Sequence, residues 1–261
     1  MKSHSSSDWG LLAPHGTGVD FREVCESTNL LANAAGTNGL VRPTWFVAAE
    51  QKAGRGRRGR NWSSPVGNLY CSYIFRPLVK ISELAKLPFL VSLAVRDTFV
   101  GLGCSPNNVL CKWPNDVLIS EKKASGILIE SNATPGLAAD YVVVGIGLNL
   151  AHFPSDSLFP ATSVALETGD TPKATSAFKI LSHAIDNRIQ SWIAKGSVDT
   201  INEWRVNAWG MGMRRLIRTN DESFHATLIG LHEDGGLSLR LDNGIEKQLY
   251  AGDVFSLTTS S

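Results

Sequence analysis

Two stretches of the chain concentrate residue types that do chemistry on anions. Between Gln51 and Trp62, QKAGRGRRGRNW places Arg55, Arg57, Arg58 and Arg60 among Gly54, Gly56 and Gly59. Glycine lets the backbone bend and approach a ligand with its N–H groups exposed, while guanidinium forks take phosphate or carboxylate oxygens two at a time. Such a loop is built to hold an anion. Taken alone, the segment also reads as a solvated basic turn or a nucleic-acid patch. Further on, KWPND sets Asp116 four positions after Lys112, and Lys122 and Lys123 follow. A turn aspartate is commonly only a turn aspartate, but this one is bracketed by lysines.

The elements that must position these groups read mostly as strands. Residues 45–49 form an apolar run before the basic loop, and residues 69–75 (LYCSYIF) form another after Trp62-Ser63-Ser64-Pro65. Gly54, Gly56 and Gly59 spell G-x-G-x-x-G, yet a dinucleotide fingerprint must open a helix, and here the order is strand, basic loop, strand. Residues 109–119 read as two strands around W-P-N-D, with Pro114 interrupting the ladder and Asn115-Asp116 making the bend. Residues 140–150 (DYVVVGIGLNL) give a buried-type strand ending in Gly145-x-Gly147-x-Asn149.

In this order GRGRRGRNW, SSPVGNLYCSYIFRP, KWPND, KKASGILIE and VVVGIGLNL resemble a biotin protein ligase, with matching spacing from about Ser27 to Asn149 and a weaker match beyond. The resemblance implies an α/β (α+β) fold. Its parts are a mixed central sheet with helices, similar to the class II aminoacyl-tRNA synthetase core, and a small C-terminal SH3-like β-barrel. It implies ATP-dependent joining of biotin, through biotinyl-5′-AMP, to a lysine of a biotin carboxyl carrier domain, with Mg²⁺ accompanying the nucleotide. A lipoyl or octanoyl ligase or transferase is the competing enzyme class, and a nucleic-acid-binding module the non-enzymatic one.

The resemblance also assigns residues. Ser27, Thr28 and Asn29, with Gln51, would bind the ureido ring, and Gly54, Arg55, Gly56, Arg57, Lys123 and Gly126 the rest of biotin. A neutral urea needs paired neutral donors and acceptors, and its rings need apolar walls. Ser27 also reads simply as the N-cap of a helix over 30–35 that Gly36 ends. Arg55, Arg57, Arg58, Arg60, Trp62, Lys112, Asn115 and Asn149 would bind the nucleotide, Asn149 near Mg²⁺. A carboxylate attacking a phosphate brings two anions together, so Lys123 is the expected bridging cation, assisted by Arg55 and Arg57. Asp116 is expected to orient the incoming lysine and help remove its proton. The loop over 151–161 should close over the adenine, with His152, Phe153 and Phe159 as open alternatives for the stacking partner.

Composition bounds the rest. At 261 residues, 43% hydrophobic and formal net charge +1, the chain can bury a sizeable core, and its arginine loop is a local feature without the broad basic excess of a nucleic-acid-binding domain. Cys25, Cys71, Cys104 and Cys111 make no C-x-x-C pair and read as reduced thiols. No signal-peptide pattern or membrane-length apolar run occurs, so a cytoplasmic protein without membrane or nucleic-acid partners is expected, with a homodimer allowed. Residues 1–17 read as a disordered or loosely packed tail, 18–210 as the catalytic domain and 211–261 as the barrel. The 26 residues before the first motif are too few for the helix-turn-helix that some ligases of this family carry, so no repressor role is expected. Helices are expected from Ser82, with Pro88 shifting the start towards Leu87, and over 173–195 and 198–209.

Overall fold

A computed structural model describes residues 6–77, 79–133, 139–155, 157 and 159–256. The centre is a seven-stranded sheet in the order β1-β2-β3-β7-β6-β5-β4. Its strands are β1 (Gly18–Cys25), β2 (Thr44–Gln51), β3 (Leu69–Phe75), β4 (Val109–Lys112), β5 (Asp116–Ile119), β6 (Lys122–Ala133) and β7 (Ala139–Leu148), and the short helices α1 (Ser6–Gly10), α3 (Ile81–Leu84) and α5 (Val164–Thr168) join the longer ones described below. β1 runs parallel to β2 and the remaining pairs are antiparallel, so the sheet is mixed as expected.

Period-two alternation gives the sheet two unlike faces. Leu69, Cys71, Tyr73, Val142, Val144, Ile146, Ile127 and Val117 point into one large apolar core. Covering that face are α4 (Leu87–Gly101) and α6 (Ala174–Lys195). α6 buries Phe178, Leu181, Ile185, Ile189 and Trp192, the helical stripe read from the sequence. Pro88 sits in the first turn of α4, where its missing N–H costs nothing. The opposite face carries a smaller apolar cluster beneath α2 (Thr28–Thr37). Beyond that cluster its residues turn small and polar: Ser72, Gly145, Gly147, Gly126, Glu130 and Asp116. Of these, Gly126, Gly145, Gly147 and Asp116 form the floor of the site, and Ser72 and Glu130 do not line it.

Two local expectations are corrected. Gly36 does not end α2, which runs on to Thr37. A Cβ there would sit 2.8 Å from Ile74 and Tyr141, so the glycine permits close packing on the sheet. The N-terminal stretch is not loosely packed as far as residue 17. Trp9 is buried, stacked on Phe21 at 5.1 Å and edge-on to Phe178 at 5.2 Å, because the indole covers the exposed side of β1. Residues 1–5 of that expected tail lie outside the described residues.

After α7 (Val198–Val206) the chain enters a five-stranded antiparallel sheet in the order β11-β10-β9-β8-β12. Its strands are β8 (Arg214–Arg218), β9 (Ser223–Leu231), β10 (Leu237–Leu241), β11 (Glu246–Leu249) and β12 (Asp253–Phe255). This sheet does not hang free: Phe89, Cys111, Trp113, Trp204 and Trp209 share one apolar cluster with Ile217, Leu228, Leu239 and Val254. The docking brings β12 to the mouth of the site.

Candidate active site

A cavity of about 820 Å³ lies on the polar face, between the basic loop and β5, β6 and β7. All the residues assigned above to biotin, nucleotide or catalysis line it except Lys112.

The basic loop is a closed turn: Trp62 N donates to Gly54 O at 2.9 Å and Gly56 N to Arg60 O at 2.7 Å. Trp62 then lies flat across Gly126 and Gly147, paired neighbours on β6 and β7. A Cβ on Gly126 would meet the indole at 2.7 Å, so this strand pair needs glycine to admit it. The buried indole N–H finds no protein partner. Each arginine has its own setting. Arg55 faces Glu130 at 3.4 Å, and Arg58 and Arg60 both pair with Asp253 of β12, the former at 3.5 Å. Arg57 donates to the neutral Oδ1 of Asn115 at 3.1 Å, and burial pulls its pKa down against the opposing charge of Asp253. Arg58 holds a left-handed φ of 56°, a conformation that costs a non-glycine residue about 1 kcal/mol.

At the floor, Lys123 Nζ lies 2.7 Å from Asp116 Oδ1, an ion pair by distance although not an aligned hydrogen bond. Strand register explains the meeting: Asp116 opens β5 opposite Gly126, and a bulge shifts Lys123 opposite Leu118. Asn115 donates to Ile127 O at 2.6 Å, which fixes the bend of KWPND on β6. Asn149 donates from Nδ2 to Thr162 O at 3.0 Å, while its backbone N–H bonds Ala124 O.

Lys112 sits behind this wall. Its Nζ lies 3.2 Å from the centre of the Phe159 ring, with Trp209 at 5.6 Å and Phe255 at 5.9 Å. Phe159 itself stacks on Phe255 at 4.5 Å. Burial, with Lys123 adding to it and Asp116 opposing, lowers the lysine pKa to about 7. Lys112, expected at the nucleotide, therefore lies outside the cavity lining, where Phe159 and Phe255 cover its ammonium. Of the three candidates for the adenine partner, Phe159 lines the cavity. His152 packs under Gly67, and Phe153 is partly exposed.

The other end of the cavity is neutral. Gln51 Oε1 accepts from Thr28 N at 2.9 Å and Gln51 Nε2 donates to Ser64 Oγ at 2.9 Å. Ser72 Oγ lies 2.7 Å from Thr28 Oγ1 and 2.6 Å from Asn29 Oδ1. Ser27 holds the N-cap position of α2, but its side chain makes no capping bond and lines the cavity. Sequence reasoning missed Asp253, Ser72 and Glu130. For the last two a signal existed: Ser72 is the lone hydroxyl-bearing small residue inside an apolar strand, and Glu130 is in phase with Gly126 on β6.

Known proteins place the chain. Residues 22–149 match the model of the biotin/lipoate A/B protein ligase family. The chain is 36% identical to the biotin–[acetyl-CoA-carboxylase] ligase of Paracoccus denitrificans, across 83% of this chain and 92% of that one. It is 30% identical to the bifunctional ligase/repressor BirA of Bacillus subtilis, across 90% and 72%. A biotin protein ligase from Aquifex aeolicus, solved with biotin and ATP, superimposes with a TM-score of 0.75 at 26% identity, covering 90% of this chain and 97% of that one. The Leishmania major enzyme with biotinyl-5-AMP gives 0.62 at 27%, covering 89% and 98%. The mixed sheet, its polar floor and these likenesses agree: the chain belongs to the biotin protein ligases, within the biotin/lipoate A/B protein ligase family.

Proposed function

We propose that the chain joins biotin to a lysine of a biotin carboxyl carrier domain through biotinyl-5′-AMP. The observation that carries the reading is one cavity with a neutral hydrogen-bonding end at Thr28 and Gln51 and a charged end at Lys123, Asp116 and Arg57. A urea suits the first end and a carboxylate meeting a phosphate the second. In the first step a biotin carboxylate oxygen bonds to the α-phosphorus and the bond to pyrophosphate breaks. Lys123 leaves Asp116 for the developing charge on the phosphoryl oxygens, and Arg57 supports it. In the second step the carrier lysine attacks the acyl carbon and AMP leaves, while the freed Asp116 takes the ammonium proton. The orphaned Trp62 N–H and the flat indole face offer a donor and a wall to the intermediate.

Among the described residues no three His, Cys, Asp or Glu side chains converge as a metal cage. Mg²⁺ would arrive on the triphosphate with its own waters and would neutralise charge there, with Asn149 as the residue expected beside it. Phe159 serves as the base-stacking residue once it parts from Phe255. The division at about residue 210 between catalytic domain and C-terminal sheet follows the change from mixed to antiparallel pairing. The described cysteines are all free, in keeping with a cytoplasmic protein, and no described helix is long and apolar enough to cross a membrane. Carboxylates engage three of the four loop arginines, which argues against a nucleic-acid partner. A homodimer is compatible with this reading, and gel filtration with and without biotin and ATP tests it directly.

Calorimetric titration with biotin, lipoate and a short oligonucleotide tests the reading. Saturable heat with biotin alone is expected, and binding of lipoate or oligonucleotide without biotin would overturn it.

A further inference from the structure

Glu130 lies outside the cavity lining and heads a chain of hydrogen bonds that runs through Asn29 and Ser72 to Thr28. Its Oε2 accepts from Asn29 Nδ2 at 2.8 Å and from Asn33 Nδ2 at 3.1 Å. A carboxylate without a proton can only accept, so the Asn29 amide turns its NH₂ to Glu130, with a longer 3.5 Å contact to Leu128 O beside it, and its oxygen away. That oxygen lies 2.6 Å from Ser72 Oγ, in the space where a Cβ on Gly145 would otherwise stand. An amide oxygen carries no proton, so this contact consumes the one proton of Ser72. The 2.7 Å contact between Ser72 Oγ and Thr28 Oγ1 must then use the proton of Thr28. The contact of Thr28 Oγ1 with Gln51 Oε1 is longer, 3.2 Å, and that oxygen already accepts the Thr28 backbone N–H. Thr28 lines the cavity, and with its proton spent it presents only lone pairs there.

We propose that Glu130 is a positioning residue for substrate choice: through Asn29 and Ser72 it makes Thr28 a hydrogen-bond acceptor towards the cavity, selecting a headgroup that donates an N–H. A ureido ring donates, and a dithiolane ring has nothing to donate. The inference rests on the reading that the Thr28 end receives the biotin headgroup. The ion pair of Glu130 with Arg55, at 3.4 Å and partly exposed, contributes little beside this chain.

Glu130→Gln is nearly isosteric, but it leaves one acceptor oxygen and an NH₂ where the parent has two acceptor oxygens, so the accept-only demand on Asn29 is lifted. The Asn29 amide can then turn over, and the protons of Ser72 and Thr28 reverse. Steady-state kinetics should show the KM for biotin raised about tenfold, with the KM for ATP within about twofold of the parent. Thr28→Val should raise the KM for biotin similarly, and Thr28→Val with Glu130→Gln should be no worse than Thr28→Val alone, since both act on one acceptor. Equal rises for biotin and ATP in Glu130→Gln, or a double variant clearly weaker than Thr28→Val, would overturn the proposal. So would an unchanged Glu130→Gln beside an impaired Thr28→Val, which leaves the headgroup assignment standing. An unchanged Thr28→Val removes that assignment, and the proposal with it.

Discussion

The two ends of the cavity solve the problem of an empty site differently. At the neutral end every polar atom from Glu130 to Gln51 already has a protein partner, and the arrangement needs no ligand to hold it. At the charged end the groups are balanced against one another: Lys123 against Asp116, Arg58 and Arg60 against Asp253, and Arg57 against an uncharged amide. A hydrogen-bonded pocket can be built in advance because its members compensate locally, whereas a cluster of cations awaiting a polyanion must borrow counter-charges until the anion comes. Binding ATP and biotin then exchanges partners at one end and adds them at the other.

That contrast can be broken at its charged end first. Lys123→Ala should lower the rate of pyrophosphate release by about 10²–10³ while leaving biotin affinity measurable, because its charge matters most in the phosphoryl transition state. Pyrophosphate release at the parental rate would remove Lys123 from that role. Asp116→Asn should still make biotinyl-AMP but pass it to the carrier lysine about 10² more slowly. A parallel loss of both half-reactions, followed by single-turnover assays, would mean that the carboxylate serves the fold. Arg57→Gly should form the intermediate and let it escape about ten- to a hundredfold faster, since one charge-assisted contact is lost. Incubated with biotin, ATP and serum albumin, the variant should label albumin, and an unlabelled albumin in the presence of biotinyl-AMP counts against the loop as a retaining device.

The smallest effect belongs to Lys112, whose pKa burial lowers from 10.5 to about 7. Between about pH 7 and the ordinary lysine range the unfolded chain holds a proton that the folded chain has released. The contribution of this group to stability therefore rises with pH through that window, and below it the burial penalty stands in full. Lys112→Met lacks the group, so its advantage in melting temperature over the parent should shrink as pH climbs from about 7 to 10. A difference that stays constant across the range would show that Lys112 does not titrate there.

The charged end was legible in the sequence because charge is conspicuous: glycines spaced among arginines, and an aspartate among lysines, survive any reading of the fold. The polar floor was legible only in part. Gly145 and Gly147 were visible as a motif, but their reason, the close approach of Asn29 and Trp62, required knowing which strands are neighbours. Ser72 and Glu130 leave only a faint signal, a small hydroxyl in an apolar strand and an acid in phase with Gly126, whose meaning needs β3, β7 and β6 side by side. Asp253 lay further from reach, since it stands 193 positions from Arg60 and only tertiary docking brings them together. Lys112 was read as a ligand group because KWPND carries it. The aromatic residues that cover it come from a loop, a turn and the last described strand.

The position of that last strand sets a rule for how the enzyme can be made. A ribosome that has released residues 1–210 has delivered every motif of the catalytic sheet, yet Arg58 and Arg60 still lack their carboxylate and Phe159 its stacking partner. The nascent chain thus carries an unclosed arginine loop until β12 has emerged and docked. A chain shortened before Asp253 keeps every motif of the catalytic sheet but lacks the carboxylate that pairs with Arg58 and Arg60 and the ring that stacks on Phe159.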